Sequence, residues 1–181
     1  IGVDKIDVKT CTEFGIPLLF TPGVNHTTVA EHTFLLLLAL EKNFLFHTDS
    51  TRANTWKRKT GHELLEKTIG IIGLGRIGKE VAIRARAFGM SVIAHDIYWD
   101  EKFAAAHNVK RAANLDEIYA ASDYISLHTN LTPETRDLMS AKSFPKMKKG
   151  VLILNCARGE IVHTADMVAA LKSGQVGGYG T

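Results

Sequence analysis

The sequence predicts an α/β fold built on an open, doubly wound parallel sheet. Two observations carry that reading. From Lys67 onward, short apolar stretches alternate with stretches of helical character, the pattern of strands joined by helical crossovers. The apolar stretches are also nearly continuous rather than alternating with polar residues, as expected of strands covered on both faces. With 181 residues, 45% hydrophobic and 23% charged, the chain can build one sizeable core, and its composition excludes disordered and fibrous classes.

The first zone runs to about residue 24. Lys5 to Phe14 is amphipathic, Gly15 stops it, and Ile16 to Phe20 reads as a short apolar strand. One helix and one strand cannot enclose a core, so this zone belongs to a larger body. Thr21-Pro22-Gly23 is a turn signal. The second zone is a helix with Thr27 or Thr28 as its cap and Glu31 in its first turn. From Val29 to Phe46 its apolar residues cover more than one face, which predicts burial by its own domain and by a neighbour. The third zone supplies strands at Thr68 to Ile72, Ser91 to His95, Tyr124 to His128, Val151 to Asn155 and Val176 to Tyr179, with a weaker one at Val109 to Ala112. The helices expected between them are Ile77 to Phe88, Leu115 to Ala121, Glu134 to Lys142 and Ala165 to Lys172.

Composition narrows the function classes. Twenty-two Lys and Arg against 19 Asp and Glu give a net charge of +3. The densest basic cluster, Trp56-Lys57-Arg58-Lys59, is short and reads as solvated surface, so no nucleic-acid partner is expected. Cys11 and Cys156 are far apart and form no CxxC pair, consistent with a reducing, cytoplasmic setting. The strongest apolar run, Phe34 to Leu40, is seven residues, against roughly 20 for a membrane span. The first residues carry no signal-peptide pattern. The chain also lacks a starting Met and is expected to begin inside a longer protein.

The chemistry-bearing signal is Gly73-Leu74-Gly75-Arg76-Ile77-Gly78, a G-x-G-x-x-G pattern. Alone it is weak; here a predicted strand runs into it and a predicted helix leaves it, the context of a Rossmann-like dinucleotide site. Gly73 permits the tight turn, Gly75 lets the backbone approach a pyrophosphate, and Gly78 lets helix and strand pack closely. The helix N-terminus offers N–H groups and partial positive charge to the phosphates. Asp96 ends the next strand, eighteen residues after Gly78, where a carboxylate binds the adenosine ribose and repels a 2′-phosphate, so NAD is expected rather than NADP. Arg158 follows the buried strand Val151 to Asn155, at the end of the sheet where ligands bind, and its planar fork suits a substrate carboxylate.

Other candidates carry less. His128 ends a strand but shows no carboxylate partner, and His163 opens a helix as a surface residue. His26 and His32 stand six apart without an HExxH or Cys/His cluster, so no metal is expected. Ser122 and Ser126 lack a G-x-S-x-G elbow, leaving serine hydrolysis unsupported.

The stretch Lys67 to Gly78 resembles the D-isomer-specific 2-hydroxyacid dehydrogenases. So do Asn25 with Val29-Ala30-Glu31-His32, His128-Thr129-Asn130-Leu131-Thr132-Pro133-Glu134-Thr135, and Asn155-Cys156-Ala157-Arg158-Gly159. The motifs occur in the family's order and the likeness covers the whole chain. It implies a two-domain enzyme binding NAD in a cleft. Residues 1–25 would be the end of a flavodoxin-like substrate domain, and residues 26–181 an NAD-binding domain incomplete at its C-terminal end. The helix Val29 to Phe46 would contribute to a homodimer interface. By position, Arg76 and Ile77 would line the pyrophosphate, Asp96 the ribose and Thr129 the adenosine side. Cys156 and Ala157 would approach the nicotinamide, and Arg158 would be the catalytic arginine gripping the substrate carboxylate.

The sequence departs from the family at Asn130, where Pro is usual, and the family's catalytic Glu and His would fall beyond Thr181. The implied reaction passes a hydride between NAD and C2 of a D-2-hydroxy or 2-oxo acid. The substrate could be 3-phosphoglycerate, formate, glyoxylate, hydroxypyruvate or D-lactate. The other reading is an NAD-sensing scaffold or corepressor on the same fold.

Overall fold

The computed structural model describes Val3 and residues 6–181. Lys5, the expected start of the first helix, lies outside that range. Helix α1 spans Val8–Glu13 and is capped by Asp7, whose carboxylate accepts the Thr10 N–H at 3.0 Å and the Thr10 hydroxyl at 2.7 Å. Gly15 then turns the chain at φ +64°.

The strand expected at Ile16 to Phe20 does not form. A strand needs a neighbour for its N–H and C=O groups, and the described residues supply none. Leu19 is instead 91% exposed.

Helix α2 spans His26–Glu41 and α3 spans Phe44–Arg52. The single helix expected from Val29 to Phe46 is therefore two. Asn43 breaks it at φ +49°, a left-handed conformation that Asn tolerates better than most residues. The break is stitched to the segment that follows α3. The Asn43 amide donates to the Thr60 carbonyl at 3.1 Å, Lys42 Nζ to the His62 carbonyl at 2.6 Å, and His47 Nε2 lies 3.0 Å from the Lys59 carbonyl. The cap position of α2 is Asn25, before the threonines expected there, and no side chain closes it.

The rest of the chain winds a six-stranded sheet. Its elements are β1 Thr68–Ile72, α4 Arg76–Ala87, β2 Ser91–His95, α5 Glu101–His107, β3 Val109–Arg111, α6 Leu115–Ala121, β4 Tyr124–Leu127, β5 Val151–Asn155, α7 Thr164–Ser173 and β6 Val176–Gly180. Every pairing is parallel and the order is β3-β2-β1-β4-β5-β6. The order reverses between β1 and β4, the switch point at which such sheets open a crevice.

Two connections differ from the sequence expectation. Helix α5 has no counterpart in the sequence expectation; it is fixed by Asp100, which accepts the Phe103 N–H at 3.0 Å. Conversely, Glu134 to Lys142 is not a helix. Asp137 sits at φ +52°, and Met139 pairs with Val162, its N–H donating to the Ile161 carbonyl at 3.0 Å. That tertiary pairing holds the chain out and overrides local helical preference.

The core lies on both faces of the sheet. Ile69 and Ile71 point to the face covered by Ala30, Phe34 and Leu37 of α2 and by Val81, Ala82 and Ala85 of α4. Ile72, Ile125 and Ile153 point to the face covered by Ile118 of α6 and Met167 of α7. Each of the larger side chains among these (Ile, Leu, Val, Phe, Met), fully buried, is worth about 1.5–3 kcal/mol over its exposed state. One polar pair is built into this core. The Tyr124 hydroxyl, on a residue 2% exposed, donates to Glu41 Oε1 at 2.6 Å, while His62 Nδ1 lies 3.2 Å from Oε2. Leu35 on the outer side of α2 is 60% exposed, so the second cover expected for this helix is not supplied by the described residues.

Candidate dinucleotide and carboxylate site

The parallel register lines up the strand ends. Ile72 lies opposite His95 on one side and Leu127 on the other, and Leu127 lies opposite Asn155. The residues that follow them, Gly73, Asp96, His128 with Thr129, and Cys156 to Arg158, therefore share one edge of the sheet. Every candidate site residue of the sequence reading falls on this edge or on the first turn of α4.

The glycine turn is tightly determined. Gly73 has φ +97°, and a Cβ there would come within 2.6 Å of the His128 carbonyl oxygen. A Cβ at Gly78 would overlap the Gly73 carbonyl oxygen. Gly75, the cap residue of α4, differs: no side chain closes the helix, and a Cβ would meet nothing within 4 Å. The first turn of a twelve-residue helix thus starts in open space, where unpaired N–H groups and the helix dipole favour an anion. Arg76 and Ile77 open this helix. The guanidinium of Arg76 extends toward Gly23, whose Cβ would lie 3.3 Å from it. These features fit the pyrophosphate of a dinucleotide.

Asp96 is pinned to the same turn. Its Oδ2 accepts the Leu74 N–H and its Oδ1 accepts the Tyr98 N–H at 2.8 Å. It lines a cleft with His95, Arg111, Ala112 and Ala113. The last three are lining residues that sequence reasoning missed; the weak strand at Val109 to Ala112 was the available signal, since its end had to reach this edge. Arg111 lies over the Trp99 ring at 5.3 Å and 3.7 Å from Glu101.

At the far side of the crevice, Cys156 is half-buried. Burial pushes its thiol up from the usual value, against the opposing effect of a hydrogen bond with Thr33 of α2. Ala157 donates its N–H to Asn155 Oδ1 at 3.0 Å, and the Arg158 guanidinium donates to the Ala157 carbonyl at 2.9 Å. Thr129 is half-buried, and its amide nitrogen lies beside the Gly73 turn.

His128 has the wrong environment for a proton-transfer group. Its Nε2 lies 2.7 Å from Ser126 Oγ, and Nδ1 is buried without a partner among the described residues. Burial pulls its pKa from 6.5 to about 4, so the imidazole is neutral at pH 7. The folded state refuses a proton that the unfolded chain accepts below 6.5, so stability falls as pH drops from about 6.5 toward 4. Between pH 7 and pH 5 this group should remove about 2 kcal/mol. Urea unfolding at both pH values should show a smaller drop for His128→Gln than for the unsubstituted protein; equal drops would refute the assignment. His163 pairs with Asp166 at 3.1 Å near the surface. Among the described residues no group of three or more His, Cys, Asp and Glu could hold a metal, and no helix is long and apolar enough to cross a membrane.

Residues 34–181 match the family described as "D-isomer specific 2-hydroxyacid dehydrogenase, NAD binding domain". The chain is 40% identical over 178 residues to D-3-phosphoglycerate dehydrogenase of Methanocaldococcus jannaschii, covering 97% of this chain and 34% of that protein. It is 42% identical over 178 residues to hydroxypyruvate reductase of Thermotoga maritima, covering 97% and 57%. Among solved structures, D-lactate dehydrogenase from Aquifex aeolicus complexed with NAD and lactic acid superimposes with a TM-score of 0.88 at 34% identity, over 98% of this chain and 54% of that one. The chain thus spans about a third of the phosphoglycerate dehydrogenase it matches and about half of the other two.

Proposed function

The chain belongs to the D-isomer-specific 2-hydroxyacid dehydrogenases as an NAD-binding domain, and on that premise we propose that the full-length protein interconverts a D-2-hydroxy acid and its 2-oxo acid. The observation that carries this reading is the single edge shared by the glycine turn, Asp96 and Arg158. When bound, NAD supplies or accepts the hydride. The chain's residues supply placement. Gly73, Gly75 and Gly78 with Arg76 and Ile77 seat the pyrophosphate, Asp96 holds the adenosine ribose, and Thr129 borders the adenosine side. Cys156 and Ala157 border the nicotinamide side. Arg158 holds the substrate carboxylate and turns C2 toward the ring, a gain in orientation. We assign the proton transfer to neither His128 nor His163.

The narrower reading takes 3-phosphoglycerate as substrate, supported by the 40% identity to a phosphoglycerate dehydrogenase. Glyoxylate, hydroxypyruvate and D-lactate are the competing substrates. Residues 1–25 are taken as the end of the substrate domain and 26–181 as the NAD-binding domain. The exposed face of α2 and α3, with Leu35, Phe44 and Leu45 each more than half exposed, is taken as the interface of a cytoplasmic homodimer. A panel of these acids with the full-length protein tests the assignment, the hydroxy acids with NAD and the oxo acids with NADH; turnover of none of them would overturn it.

Cofactor choice has its own test. Asp96→Asn keeps an oxygen acceptor for the Leu74 N–H but removes the charge that repels a 2′-phosphate. It should raise the NADPH-to-NADH ratio of kcat/KM by on the order of 10-fold to 100-fold. An unchanged ratio would remove Asp96 from the ribose site.

A further inference from the structure

The turn that presents Arg158 is closed from within by one buried side chain. Asn155 is 4% exposed. Its Oδ1 accepts the Ala157 N–H at 3.0 Å, and its Nδ2 donates to the Arg158 carbonyl at 2.9 Å. The same Nδ2 donates to the Tyr179 hydroxyl oxygen at 3.2 Å. Tyr179 stands on β6 opposite Ile153 of β5, so this contact ties the turn sideways to the edge strand. The Thr181 hydroxyl adds a bond to the Asn155 carbonyl at 3.1 Å. A flipped amide would set donor against donor at Ala157 and acceptor against acceptor at Arg158, so the turn admits one amide orientation. Arg158 itself is extended, with φ −133° and ψ 137°.

We infer that Asn155 and Tyr179 are positioning residues for Arg158. They fix the backbone on both sides of the arginine and thereby the direction in which its side chain leaves the sheet edge. The inference rests on the proposed role of Arg158 as the carboxylate anchor. A bidentate contact is sensitive to direction, because both N–H groups must meet both oxygens at once. A turn loosened by one hydrogen bond keeps its fold and loses that alignment.

The test uses the full-length protein with NADH and whichever of pyruvate and hydroxypyruvate it reduces faster. Four variants are compared: Tyr179→Phe, Asn155→Ala, Arg158→Ala and the double variant Asn155→Ala/Arg158→Ala. The NADH dissociation constant is read separately by fluorescence. Tyr179→Phe should raise the oxo-acid KM about 3-fold to 10-fold, and Asn155→Ala should lower kcat/KM about 100-fold, with NADH affinity within about 2-fold in both. On the Arg158→Ala background, Asn155→Ala should cost less than about 3-fold, because the group it positions is gone. Full additivity overturns the inference, as does a parallel loss of NADH affinity. Loss in Arg158→Ala with none in Asn155→Ala or Tyr179→Phe overturns it alone. No loss in Arg158→Ala overturns the carboxylate reading and this inference together. Should Asn155→Ala not fold, Tyr179→Phe still decides, since it removes one hydroxyl and keeps the packed ring.

Discussion

Replacing Arg158 by alanine in the full-length protein should lower kcat/KM for the 2-oxo acid by on the order of 1,000-fold or more. NADH affinity should stay within about 2-fold. The reason lies in what the side chain is asked to do. A guanidinium donates two parallel N–H bonds to a carboxylate, fixing the plane of the acid and with it the face of C2 that meets the nicotinamide. Misplacing reacting atoms by about an ångström costs on the order of 100-fold by itself, and losing the charge-assisted bonds adds to it. Lysine restores charge without the fork, so Arg158→Lys should recover only part of the loss. Steady-state kinetics with a separate NADH titration would settle it. An unchanged kcat/KM in the alanine variant would remove Arg158 from the substrate site.

Gly78→Ala should be among the most damaging single methyls in the domain. The new Cβ would overlap the Gly73 carbonyl oxygen, a backbone atom of the glycine turn that cannot rotate away. Relief requires moving the first turn of α4 off β1, which forfeits packing of Val81 and Ala82 against Ile71 on the same face. Overpacking of this kind costs about 1–3 kcal/mol and more against rigid backbone. In a chain of this size that corresponds to a fall in melting temperature of roughly 2–12 °C. NADH affinity should fall as well, because the displaced turn is the one proposed to seat the pyrophosphate. Gly159→Ala is the control: its Cβ would meet nothing within 4 Å, and the melting temperature should barely move. Thermal scans with and without NADH would distinguish the two; equal behaviour of the two variants would overturn the packing argument.

The sheet and its crevice were legible because their signals are local. Five strands are near-continuous apolar runs, and the glycine turn declares both its conformation and its neighbours. Asp96 and Arg158 follow from being the polar residues at strand ends. What sequence could not show depends on contacts across the fold. The stretch Glu134 to Lys142 has helical character, yet Met139 is drawn into pairing with Val162. Ile16 to Phe20 has the composition of a strand and no strand to join. The break at Asn43 is visible only when Thr60 and His62 are seen closing over it. Asn155 looked like the last residue of a strand; its role emerges from Tyr179, 24 residues away.

The strand order also constrains how the domain can assemble. β1 pairs with β2 across a connection of about one helix, but its other partner, β4, begins 52 residues after β1 ends, with Ile69 aligned to Tyr124. Closing that distance costs loop entropy before any contact across it is gained. A chain emerging from the ribosome would therefore hold the half sheet β1-β2-β3 with one flank of β1 bare until Leu127 is out. The glycine turn cannot reach its final shape earlier, because the wall it leans on is the carbonyl of His128. The nucleotide cradle is thus completed only when a segment far along the chain from the glycine turn has been made.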